Sequence, residues 1–209
     1  MTPARETSDA ELVEAWRSGD RHACESLFHR HFATVTRFFR NKAPAAASDL
    51  AQRTFLTCFQ RIAGLQDPSR FRSWLLGAAY NVLREHLRAT RRDRIDFGSV
   101  SVAELGSSAV SLVARQREHQ RLLDALRNLP LELQTVLELH YWERMTVQEI
   151  ADTLALPLGT AKTRLRRARE LVERAMLAAP PDVRTLPPAD LDAWAFELGQ
   201  LIEPDPGPD

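Results

Sequence analysis

The stretch that most constrains this 209-residue chain is residues 146–175, where two helical patterns are joined by only three residues. Thr146-Val147-Gln148-Glu149 has the spacing of a capping box. In that arrangement the Thr146 hydroxyl accepts from the Glu149 amide while the Glu149 carboxylate reaches back to the Thr146 amide. Ile150 and Leu154 then recur at helical spacing, with Ala151 small enough for a second helix to cross closely. Ala155-Leu156-Pro157 reads as the turn, and Pro157 can begin a new helix because its missing N–H would be unpaired there. A second helix over about 158–175 turns Ala161, Leu165 and Ala168 inward. If the turn requires a positive φ at Ala155, where glycine is commoner, alanine costs about 1 kcal/mol.

The outward side of that second helix carries Lys162, Arg164, Arg166, Arg167, Arg169 and Arg174 against Glu170 and Glu173. Such a helix suits duplex DNA: its N-terminal side chains reach base edges in the major groove, and flanking cations hold phosphates. Thr160 and Thr163 add hydroxyls to the same surface.

The rest of the chain is also helical in pattern, so the expected class is all-α, with two small helical domains and a flexible linker. Over residues 9–94, Leu27, Phe28, Phe32, Val35, Phe38 and Phe39 recur at helical spacing. Ala43 to Ser48, with Pro44, breaks the pattern, and a second amphipathic stretch runs from Asp49 to about Ala63. Gly64 to Ser73 reads as a polar loop, and a third helix runs from Trp74 to about Arg91. Residues 95–114, rich in Ser, Gly and Val, read as a linker. The second domain spans 115–176, and a Pro-rich tail follows over 177–209, extended except for a short helix at about 189–202. The formal charge is zero, which excludes a globally basic nucleic-acid binder. The tail nevertheless holds seven acids and one base, a net −6, which leaves +6 on residues 1–176.

At this point the residues resemble a family. Leu158-Gly159-Thr160-Ala161-Lys162-Thr163-Arg164-Leu165-Arg166-Arg167-Ala168-Arg169 closely resembles region 4 of the extracytoplasmic-function (ECF) sigma factors, as do Leu129-Pro130 and Glu149-Ile150-Ala151. Asp49-Leu50-Ala51-Gln52-Arg53-Thr54-Phe55 is similar to the region 2 segment that docks on RNA polymerase. Phe71-Arg72-Ser73-Trp74-Leu75 and Asn81 through Arg92 resemble the loop and promoter-reading helix that follow. The resemblance covers about residues 9–176. It implies an alternative sigma factor that binds core RNA polymerase and promoter DNA in the cytoplasm, without catalysis and without a cofactor. Region 4 would read the minus-35 element through Thr160, Lys162, Thr163, Arg164, Arg166 and Arg167. Region 2 would capture the minus-10 element through Ser69, Arg70, Phe71, Asn81, Arg84, Glu85 and Arg88, with Arg91 and Arg92 extending the cationic stripe. Asp49, Leu50, Gln52, Arg53 and Phe55 would meet polymerase. Arg53 stands where the family usually carries an acid, and Glu85 occupies a position that varies with promoter sequence.

Two other readings compete: a stand-alone helix-turn-helix regulator, and a sigma-like adaptor that binds polymerase without reading promoters. The first leaves the Asp49 to Phe55 and Phe71 to Arg92 matches unexplained. His22, Cys24, His29 and His31 do not share one helical face, so no metal site is expected. No phosphate loop, nucleophile elbow or paired-acid site is evident, and no apolar run suffices for membrane insertion. Leu191, Trp194, Ala195, Leu198, Leu201 and Ile202 form an apolar stripe on the acidic tail helix. That stripe could stabilise the body, bind a regulator such as an anti-sigma factor, or restrain promoter binding from within the chain.

Overall fold

The computed structural model describes residues 7–90, Gly98, Ser101 and residues 123–177. Four helices make the first half: α1 (Asp9–Arg17), α2 (Arg21–Arg40), α3 (Ala47–Arg61) and α4 (Phe71–Thr90). Ser8 and Glu11 close a capping box on α1. Gly19, at φ 98°, makes the sharp turn into α2, whose first amides are held by the Asp20 carboxylate. Leu27, Val35, Phe39, Leu50, Leu75 and Leu83 interlock as its core.

The segment between α3 and α4 is more ordered than a polar loop. It holds single 3-10 turns at Ile62–Gly64 and Pro68–Arg70, and α4 begins at Phe71, three residues earlier than the sequence pattern suggests. Asp67 caps the second turn by accepting from the Ser69 amide, and Pro68 occupies its first position. Cap and proline together start the helix early.

The second half contains helical residues 123–127, then α5 (Leu131–Tyr141), α6 (Val147–Thr153) and α7 (Leu158–Leu177). Its core joins Leu126, Leu133 and Leu137 to Ala168 and Val172. Of the 95–114 segment only Gly98 and Ser101 are described; Ser101 is buried and forms an isolated bridge with Pro130. The remaining linker positions, Arg91 and Arg92, and the 189–202 helix lie outside the described residues.

The two halves share a core. Leu76 of α4 packs among Val136, Leu139, Met145, Ile150 and Leu165, and Leu131 of α5 joins the first cluster. Gly77 is required at this crossing, because a Cβ there would stand 2.8 Å from the Thr153 carbonyl oxygen. Around the apolar contact runs a buried polar seam. Glu138 of α5 accepts from Asn41 at 2.5 Å, from Gln134 at 2.8 Å and from the fully buried Lys42 ammonium. Burial pulls the Lys42 ammonium below its usual range, against the opposing pull of Glu138. Glu143 accepts from Arg37 at 2.5 Å and pairs with Arg72, which also donates to the Glu143 carbonyl at 2.9 Å.

Candidate nucleic-acid interface

The helix-turn-helix is built as its sequence implies. Thr146 Oγ1 accepts from the Glu149 amide at 3.2 Å, and a Glu149 carboxylate oxygen accepts from the Thr146 amide at 2.7 Å. The Thr146 hydroxyl, which also donates to that carboxylate at 2.7 Å, and then the Thr146 amide hold the Glu149 carboxyl below the ordinary carboxylate range. Ala155 does adopt a positive φ, 52°. The strained residue lets the Leu156 amide close on the Ala151 carbonyl at 2.8 Å, so α7 leaves directly from Pro157. Ile150, Ala151, Ala161, Leu165 and Ala168 are buried between the two helices and α5.

On α7, Lys162, Thr163, Arg166 and Arg167 are exposed, and Thr160 is half-buried at the first turn. Thr163 donates to the Gly159 carbonyl and Arg166 pairs with Glu170 at 2.7 Å, both within the helix. Arg164 departs from the expected set. Its half-buried guanidinium is paired with Glu132 of α5, so it fastens α7 to the body rather than standing with the outward cations. Arg169 likewise turns back over the Tyr141 ring, 5.3 Å from its centroid.

The second candidate surface is a cleft of about 520 Å3 between the α3–α4 connection and α6. Trp74, Asn81, Arg70 and Glu85 line it, and Asp152 and Thr153 close it from the other half. Trp74 is half-buried, its ring tilted against Phe71 with centroids 6.1 Å apart, and it lines the cleft. Arg70 is paired with Asp152, which holds the Asp152 carboxyl below its usual range; Gln148 adds a second bond at 2.9 Å. Ser69 is exposed and donates to Asp67 at 2.6 Å.

Phe71 is a correction to the expected minus-10 set. It is 1% exposed, packed against His31 and Trp74, and supports the cleft from beneath. Along α4, Asn81, Glu85 and Arg88 are exposed, while Arg84 lies half-buried over the Tyr80 ring at 5.5 Å. Glu85 and Arg53 approach to 3.7 Å, which joins the exposed faces of α4 and α3.

The α3 face expected to meet polymerase divides in the same way. Asp49, Gln52 and Arg53 are exposed, but Leu50 is buried in the core and Phe55 is half-buried against Phe28 at 4.6 Å. Sequence reasoning missed Leu56 and Phe59, each 57% exposed, which continue that face at i+3 and i+6 from Arg53. Two large apolar residues at solvent-facing positions of α3 were the available signal. His31 is buried against Asp9 at 2.8 Å while His22 and His29 are exposed, so these histidines do not converge. Burial pushes the Cys58 thiol up to about 12. Among the described residues no helix is long and apolar enough to cross a membrane.

Comparisons with known proteins match both halves of the chain. Residues 27–93 match the Sigma-70 region 2 family and residues 119–172 match Sigma-70, region 4. The ECF RNA polymerase sigma factor BldN of Streptomyces coelicolor is 30% identical over 190 residues, covering 87% of this chain and 71% of its own. RNA polymerase sigma-H factor of Pseudomonas aeruginosa is 26% identical over 183 residues, covering 80% and 93%. The fold is shared with CnrH, solved with the cytosolic domain of CnrY, at a TM-score of 0.62 and 24% identity over 83% of this chain and all of that one. It is also shared with RpoE from Bartonella quintana, solved with the anti-sigma factor NepR, at a TM-score of 0.55 and 17% identity over 70% and 92%. With both sigma regions matched in order, the chain belongs to the ECF RNA polymerase sigma factors.

Proposed function

We propose that this sigma factor directs core RNA polymerase to promoters with two separate DNA grips, one of which is covered in the closed chain. The observation that carries the reading is their coexistence: an exposed basic α7 and a distinct polar, aromatic cleft, 520 Å3 in volume, beside α4. The α7 surface suits duplex DNA, with Lys162, Thr163, Arg166 and Arg167 at or near the bases of the minus-35 element and Thr160 at the helix start. Arg164 acts through Glu132 by fixing the helix.

The cleft suits an unstacked base of the minus-10 element. Trp74 offers an aromatic surface, Asn81 both a donor and an acceptor, and Arg70, Arg84 and Arg88 the charge an exposed strand needs. With Asp152 on Arg70, a carboxylate stands where a phosphate would bind, so α6 must lift from α4 before the strand enters. Polymerase would bind the α3 face of Asp49, Gln52 and Arg53, together with Leu56 and Phe59, and hold the two grips apart. The chain contributes recognition and no chemistry of its own, acting in the cytoplasm where polymerase works.

The test mixes purified protein with core RNA polymerase and a genomic promoter library. Co-migration with specific initiation is the expected result. Co-migration without initiation would make the protein an adaptor, and neither would sink the sigma reading.

A further inference from the structure

The α1–α2–α3 side of the first half carries an open apolar groove of about 390 Å3 that neither DNA grip uses. Trp16, Phe28, Phe55, Leu56 and Phe59 form its walls, with Glu25 and His29 at the rim. Trp16 and Phe59 lie 5.7 Å apart, and Phe28 and Phe55 4.6 Å. Three large hydrophobic residues are notably exposed among the described residues, and two of them, Leu56 and Phe59, line this groove. A contiguous aromatic groove of this kind marks a docking surface.

We infer that the groove is the seat of this chain's own C-terminal segment, residues 189–202, bound as an amphipathic helix. Leu191, Trp194, Ala195 and Leu198 fall at i, i+3, i+4 and i+7, the anchor spacing of a helix laid in a groove, and Leu201 and Ile202 extend the stripe. Asp190 and Glu197, at i−4 and i+3 from Trp194, run along one edge of it. Arg53, exposed and held only loosely by Glu85 at 3.7 Å, stands one turn before Leu56 to receive that acidic edge. On the larger scale the tail's −6 faces a +6 body, which favours its return.

The tether is long enough. Thirteen residues lie between Leu177 and Leu191, and the fourteen Cα steps span up to roughly 46–50 Å when extended. A body of this size is roughly 40 Å across, so the strap reaches its far side. Tethering also gives the segment a local concentration on the order of millimolar, so even weak apolar docking is populated. Because Leu56 and Phe59 belong to both surfaces, a docked tail covers the face proposed for polymerase; this consequence rests on that proposal, whereas the docking does not.

Hydrogen exchange on the full-length protein tests the docking, using full-length Leu198→Asp and Phe59→Asp variants. Phe59 is solvent-facing and Leu198 lies outside the described core, so both variants are expected to keep the parent fold, and a thermal melt of each is the check. The amides of 191–202 are expected to exchange about tenfold more slowly in the parent than in either variant, equivalent to about 1.4 kcal/mol of docking. That protection should survive dilution. Unprotected tail amides in the parent, or protection that persists in Phe59→Asp, would overturn the inference. Protection lost on dilution would also overturn it, since the occupant would then be a second copy. Core polymerase affinity is read separately: Leu198→Asp should bind several-fold more tightly than the parent. If the exchange result holds while that affinity stays unchanged, the groove assignment stands and the polymerase role of the α3 face falls.

Discussion

The two surfaces proposed to meet DNA differ in where their cations are committed. On α7, Lys162 and Arg167 face solvent and Arg166 pairs only with Glu170 on its own helix. Around the α4 cleft, Arg70 is held by Asp152 and Arg72 by Glu143, both acids from the other half. The surface proposed for duplex DNA is therefore presented in the closed chain, whereas the surface proposed for an opened strand has Arg70 engaged by Asp152 of α6 at its edge. On the proposed function, duplex is met without rearrangement, whereas single-strand capture needs Asp152 to release Arg70. Variants that unlock the seam should remove this asymmetry, and variants on α7 should invert it.

The strongest lever is the buried seam. Lys42→Met leaves the Glu138 carboxylate without its ammonium partner in a site only 2% exposed. Removing one member of such a pair costs about 3–5 kcal/mol, measurable as a drop in the denaturant midpoint. Combining it with Glu138→Gln should recover most of that loss, because Asn41 can still donate to the amide oxygen. A double variant as unstable as the single one would show that Lys42 matters through its bond to the Phe38 carbonyl instead.

Gly77→Ala comes next. Its new Cβ meets a backbone oxygen at 2.8 Å, which cannot turn aside as a side chain would. The overpacking costs about 1–3 kcal/mol, partly offset by about 1 kcal/mol of helix propensity. The expected result is a larger radius of gyration in solution scattering, with α7 still competent for duplex DNA. An unchanged radius would mean that α4 and α6 do not hold the halves together.

Much of this arrangement was legible in the sequence, for a physical reason. The capping box at Thr146, the turn at Ala155 and the apolar rows of α2, α4 and α7 are local patterns, and each reappears in the structure. The misplaced residues are those whose role depends on a distant partner. Leu50 and Phe71 lie inside recognisable segments but turn into the core. Arg164 reads as one more cation on a basic helix until Glu132 is seen beside it, 32 positions earlier in the chain. The seam was least visible, because Lys42 and Glu138 are 96 residues apart and each looks like an ordinary surface charge. A faint local sign did exist: α5 is apolar on nearly every face, so Gln134 and Glu138 had to be buried with partners.

On α7 the expected effects are smaller and fall on binding rather than stability. Arg167→Ala should weaken binding to a minus-35 duplex by about 1–2 kcal/mol and relax the base preference at one position. Lys162→Ala should weaken all duplexes alike if it holds a phosphate, lowering the salt slope by about 1. Arg164→Ala should instead lower the melting temperature, since its partner is Glu132. Loss of sequence preference in Arg164→Ala at unchanged stability would return Arg164 to the DNA-reading set.

The smallest effect on stability is expected from Asp152→Asn, which releases Arg70 without touching the shared core. The pair is solvent-exposed, so the melting temperature should stay close to the parent's. Its pH dependence has a definite sign. The Arg70 bond lowers the Asp152 carboxyl below its ordinary value, so the contact is intact at neutral pH. It is lost only as the pH falls through that depressed range, where the carboxyl takes up a proton. In the Asp152→Asn variant this acid-side step should vanish, and affinity for a single-stranded minus-10 oligonucleotide should rise at pH 7. Duplex minus-35 binding should stay unchanged, because α7 is exposed in either state. Equal oligonucleotide affinity in parent and variant would mean that Asp152 does not guard the cleft, and the contrast between the two grips would then rest on the buried seam alone.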